Sequence, residues 1–176
     1  MRRLDTILRD LGAYKDNLIT MFLKSEKICE LLLGENYTDC EIDNLVYSQI
    51  FPFPYIENTQ TETKPYMCIE TDFSSSSHTI KDVMIYVWVY AHKDVIGNKK
   101  RVEKYKGSGY AGTFIDILAD IIDQDLRKPE HKNKYGVGSP TLKKATPTYP
   151  NNNYYGRQMT YVVPDFKVKT IKEKKG

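Results

Sequence analysis

The polypeptide has 176 residues, 40% of them hydrophobic and 28% charged, which suits a packed domain and argues against a disordered chain. No apolar run approaches the roughly 20 residues of a membrane helix, and no apolar stretch follows Arg2-Arg3 as in a secretory signal; three cysteines without a short-spaced pair argue against a disulfide scaffold or a zinc module. The net charge of +3 is unevenly placed: residues 93–106 hold six basic and two acidic side chains and residues 167–176 five Lys and one Glu, two basic appendages suited to a polyanion, an acidic partner or solvent.

Residues 5–33 read as helical. Gly12 is expected to separate a short first turn, 5–11, from a longer helix over 13–33 with Leu18, Phe22, Cys29 and Leu33 on one face, ended by Gly34. Thr38-Asp39-Cys40-Glu41 is a capping box that opens a second helix through Ile42, Leu45, Val46 and Gln49, stopped by Pro52 and Pro54.

A strand over 66–73, a turn through the Ser74–Ser77 run and a strand over 79–92 follow. In the second strand Val83, Ile85, Val87, Val89 and Ala91 make an aliphatic face, and Met84, Tyr86, Trp88, Tyr90 and His92 a broad aromatic one. Both faces require cover, and the second is covered either by another layer of this chain or by a neighbouring subunit.

Residues 93–112 read as a long charged loop with Gly97, Gly107, Gly109 and Gly112, of the kind that is functional or disordered. An amphipathic helix over 113–127 buries Ile115, Leu118, Ile121, Ile122 and Leu126 and ends before Pro129; strands over 141–149 and 154–164 flank an Asn-rich turn. The order α-α-β-β-α-β-β predicts an α+β fold: N-terminal helices over residues 1–55, an α+β core over 56–166 with an antiparallel sheet and one packed helix, and a basic tail over 167–176.

Little in the sequence points to catalysis. Gly107-Ser108-Gly109-Tyr110-Ala111-Gly112 lacks the Gly-Lys-Ser/Thr of a phosphate loop. His78, His92 and His131 lie far apart, and Asp116, Asp120 and Asp123 share a helical face that is more often solvated than metal-binding. No nucleophile signature and no cofactor motif is present. Tyr105 and Tyr110 among Lys99, Lys100, Arg101, Lys104 and Lys106 suit nonspecific contact with nucleic acid, without the signature of a recognition module.

The element order, the strands Pro65-Tyr66-Met67-Cys68-Ile69-Glu70 and Ile85-Tyr86-Val87-Trp88-Val89-Tyr90, the amphipathic helix and the closing hairpin resemble the tail terminator and tail-completion proteins of tailed bacteriophages. The segment from Tyr154 through Thr160-Tyr161-Val162-Val163-Pro164-Asp165-Phe166 is similar to small neck proteins of phages infecting Gram-positive hosts. The resemblance, over residues 64–166, implies a noncatalytic virion subunit in a ring, typically a hexamer, between tail tube and head connector around the DNA channel. It leaves a head-closure or adaptor protein as the alternative of the same kind, and a nonspecific nucleic-acid binder as one of another. On this reading Met84, Tyr86, Trp88 and Tyr90 form the interface between copies. Lys99, Lys100, Arg101, Lys104, Lys106, Lys167, Lys169 and Lys172 face neighbouring rings or DNA, and no membrane is involved.

Overall fold

The computed structural model describes residues 7–55, 60–75 and 81–164. The Ser76–Ser77 part of the expected turn, His78 and the tail lysines Lys167, Lys169 and Lys172 lie outside them. The fold is α+β, with a five-stranded sheet in the order β1-β2-β3-β5-β4. Its long strands are β2 (Pro65–Ser75), β3 (Lys81–His92), β4 (Thr141–Thr148) and β5 (Tyr154–Val163), all antiparallel; the two-residue β1 (Ile50–Phe51) runs parallel to β2.

One face of the sheet carries a layer of three helices: α1 (Ile7–Leu23), α2 (Glu26–Leu33) and α6 (Phe114–Arg127). Val83, Ile85, Val87 and Val89 of β3 meet Leu18 and Phe22 of α1, Ile28 and Leu31 of α2 and Ile117, Leu118 and Ile121 of α6 in one core. Each fully buried aliphatic side chain there contributes about 2 kcal/mol relative to exposure. The N-terminal helices thus share their core with the sheet.

Several local expectations are corrected. Helix α1 runs through Gly12, whose surroundings are open, and the break comes instead at Lys24 and Ser25. There the Lys24 and Ser25 amides turn back to the carbonyls of Met21 and Phe22 at 3.2 and 3.1 Å, which redirects the chain so that α2 buries Ile28, Leu31 and Leu32. A mid-helix glycine costs only about 0.5–1 kcal/mol, less than those contacts return.

The Thr38–Glu41 capping box forms, but α3 spans only Asp39–Asp43. The Asn44 side-chain amide donates to the Cys40 carbonyl at 2.8 Å, the amides of Ser48, Gln49 and Ile50 converge on the Leu45 carbonyl, and Tyr47 adopts φ +66°. Asn and Ser compete with the helix ladder in this way. Gln49, expected in the helix, is buried instead; its side-chain amide donates to the carbonyls of Leu32 and Pro65 and ties α2 to β2.

Residues 93–112 are not a loose loop. They form α4 (Lys93–Ile96), a 3-10 turn (Lys99–Arg101) and α5 (Glu103–Gly107). The side chains of His92 and Asn98 accept from the amides of Asp94 and Lys100 as caps, and Val95, Val102 and Tyr105 are buried anchors. Pro129 ends α6 and also opens α7 (Pro129–Lys134), where its missing donor is no loss.

Candidate functional site

The strand register places Met84, Tyr86, Trp88, Tyr90 and His92 on the sheet face away from the helices, opposite Val162, Thr160, Gln158, Gly156 and Tyr154 of β5. That face is divided. At the Tyr90 end the segment after β1 folds back over it. Tyr90 packs against Tyr66 at 5.6 Å, Tyr55 at 5.8 Å and Tyr154 at 6.1 Å between ring centroids, and Phe51 and Phe53 extend the cluster.

Tyr90 is therefore 1% exposed and enclosed by aromatics of its own chain, unlike the other three residues expected at an interface. Its hydroxyl lies 3.5 Å from the Cys68 thiol. Burial pushes that thiol up to about 11, and Cys29 likewise, so neither is a thiolate at neutral pH. The cover comes from residues 51–55, which look in the sequence like nothing more than a helix stop.

Beyond that cluster the face is open. Met84, Tyr86 and Trp88 are each half-buried, with the rings of Tyr86 and Trp88 stacked at 5.9 Å. Gln158, Thr160 and Val162 flank them, also half-buried. Both long sheet edges, by contrast, carry features that disfavour strand addition. On the β2 side the Thr71 and Phe73 amides are taken by the carboxylates of Glu70 and Asp72 at 2.9 and 2.7 Å. On the β4 side exposed Lys143 and Lys144, Pro147 and an irregularity between Leu142 and Lys144 blunt the edge.

The basic residues of the 93–106 segment divide as well. Lys104 pairs with Glu30, whose other oxygen accepts from the Tyr105 hydroxyl at 3.0 Å. The half-buried Arg101 guanidinium lies 5.6 Å from the centroid of Phe114. These two hold the segment against α2 and α6, while Lys99, Lys100 and Lys106 remain exposed and make no ion pair among the described residues. Tyr105 is buried and Tyr110 half-buried, their rings edge-on, so neither is a free stacking platform.

The glycine-rich run before α6 has a structural use. Gly112, at φ +92°, lets the Asp116 carboxylate fold over it; a Cβ there would lie 2.6 Å from Oδ2. Asp116 accepts from the Thr113 amide and hydroxyl, both at 2.8 Å, and from Arg157 at 2.6 Å. This second capping box, Thr113-x-x-Asp116, has its sequence signal in a Thr and an Asp three residues apart ahead of the apolar helix. It fills the helix N-terminus that a phosphate would need. Of the other acids on α6, Asp123 pairs with Arg127 and Asp125 with Lys128, while Asp120 is exposed. Among the described residues no three His, Cys, Asp or Glu side chains stand together as a metal set.

Burial works to raise the Asp116 carboxyl, but the bonds from Thr113 and the Arg157 guanidinium outweigh it and hold it below the ordinary 3.8. A depressed folded-state pKa gives stabilisation that is complete above the ordinary value and is lost as pH falls through the lower, folded one. Asp116→Asn is expected to be less stable than wild type at pH 7, with the gap closing as both are taken below pH 3.8. Equal urea midpoints at pH 7 would remove this role.

A family model described as YomW matches residues 25–163, from α2 to the end of β5. No curated protein and no solved structure matches the chain.

Proposed function

The chain belongs to the YomW family, a phage-like Bacillus prophage family, and on that premise we propose that this phage-associated protein is a noncatalytic structural subunit of the virion neck. In this reading copies form a ring of the tail-terminator kind, a hexamer by resemblance, between the tail tube and the head-closure or connector proteins, with DNA passing through. The observation that carries it is the open half of the sheet face. Met84, Tyr86 and Trp88 lie side by side there, the helix layer packs on the opposite face of the sheet, and both long edges carry features that disfavour strand pairing. Half-buried aromatics beside polar neighbours are the composition of an interface.

The test is Trp88→Glu in the full chain. Wild type is expected to give a multiple of 20.4 kDa by native mass spectrometry and the variant a 20.4 kDa monomer with a similar melting midpoint. Particles made with the variant are expected to show heads and tails that fail to join. A variant that assembles like wild type would overturn the reading. A second reading, nonspecific nucleic-acid binding, draws on exposed Lys99, Lys100 and Lys106. It predicts oligonucleotide binding that weakens steeply with salt and does not depend on Trp88.

A further inference from the structure

A second surface lies away from the sheet face, where the end of α1 meets the α2–α3 connection. A groove of about 320 Å³ there has Leu23, Tyr37 and Ile42 on its floor, with Cys29 beneath. Glu26, Asp39 and Asp43 stand on its rim, with Lys24 the one cation of the lining. None of the three acids makes an ion pair among the described residues. Residues 26–43 as a whole carry six acids and one Lys. The field is felt inside the groove: burial first, then Cys29, Glu26 and Asp39, push the Tyr37 hydroxyl above its ordinary pKa.

We propose that this groove receives the Lys-rich C-terminal segment of the same polypeptide, residues 167–176. The segment reads Lys167-Val168-Lys169-Thr170-Ile171-Lys172-Glu173-Lys174-Lys175-Gly176, so it carries five positive charges with Val168 and Ile171 set among them. An apolar floor with an acidic rim is the complement of that pattern. The apolar side chains enter the groove while lysines on either side meet Glu26, Asp39 and Asp43. Val168 and Ile171 follow Pro164 by four and seven residues, reaches of up to about 14 and 25 Å, by which the segment meets the groove of its own copy or of a second one. Single exposed ion pairs are worth at most about 1 kcal/mol, so binding depends on several pairs acting with the apolar anchors, and it weakens with salt. The inference does not rest on ring formation.

A native cysteine makes the test possible in the full chain. Cys40 is exposed on α3 beside the rim, whereas Cys29 and Cys68 are buried. With Thr170→Cys, mild oxidation by glutathione disulfide is expected to link position 170 to Cys40, within one chain or between two, and Cys40→Ser abolishes the product. Reversing two rim charges, Asp39→Lys with Asp43→Lys, is expected to cut the yield about tenfold. Adding Lys169→Glu and Lys172→Glu to the reversed groove restores it. No link to Cys40, or a link formed equally with the native and the reversed groove, overturns the proposal.

Discussion

Replacing Gly156 with alanine is expected to cost about 3 kcal/mol or more and to lower the melting midpoint by roughly 6–12 °C. Gly156 lies within β5 opposite Tyr90, and a Cβ at this position would sit 2.0 Å from the Val89 carbonyl oxygen, 2.5 Å from the Tyr90 Cβ and 2.7 Å from its Cα. These are backbone and first side-chain atoms of the central strand, which cannot swing aside as a flexible side chain would. Relief requires β3 and β5 to move apart, opening ladder hydrogen bonds and loosening the cover over Tyr90. A glycine inside a strand often marks such a close approach. Thermal and urea melts that place Gly156→Ala within 1 kcal/mol of wild type would show that the two strands part easily.

Phe114→Ala is expected to cost about 4 kcal/mol, as truncations of buried aromatics do. The side chain is fully buried at the first residue of α6, and its ring lies under the Arg101 guanidinium at 5.6 Å. Truncation leaves a cavity in the core and removes the surface on which the 3-10 turn of the basic segment rests. A urea midpoint shifted to lower concentration at unchanged slope would report this loss of packing; a loss below about 1 kcal/mol would mean that the core closes over the gap. The same contact bears on charge reversal in the segment. Lys99→Glu and Lys100→Glu alter exposed charge alone, whereas Arg101→Glu also disturbs the seat on Phe114.

What was readable in the sequence is what local physics decides. The 3.6-residue spacing of Ile115, Leu118, Ile122 and Leu126 marks α6, and strict alternation from Val83 to Ala91 marks β3, because in both the burial pattern repeats within one element. The Thr38–Glu41 box marks a helix start for the same reason. What was hidden depends on distant partners. Gly12 is a weak breaker by itself and is overridden because Leu11 and Tyr14 beside it are buried, Tyr14 donating to the Val137 carbonyl at 2.6 Å. The charged stretch after β3 looks like a loop until Val95, Val102 and Tyr105 find the core. Tyr90 and Trp88 occupy equivalent positions on one strand face, yet Tyr55 reaches over the first and leaves the second half-buried. Alternation identifies a face that needs covering, but long-range chain path determines how much of it the chain covers itself.

Trp88 is the single tryptophan of the chain, so its emission reports on the open face without competition. The decisive measurement records particle mass by light scattering and the tryptophan emission maximum on the same samples, across a wide dilution series and into mild urea. Association through this face predicts a mass that is a multiple of 20.4 kDa, blue-shifted emission, and reversion of both signals in step as copies separate. A mass of 20.4 kDa at every concentration, or an oligomer whose tryptophan emits as it does in the monomer, contradicts it.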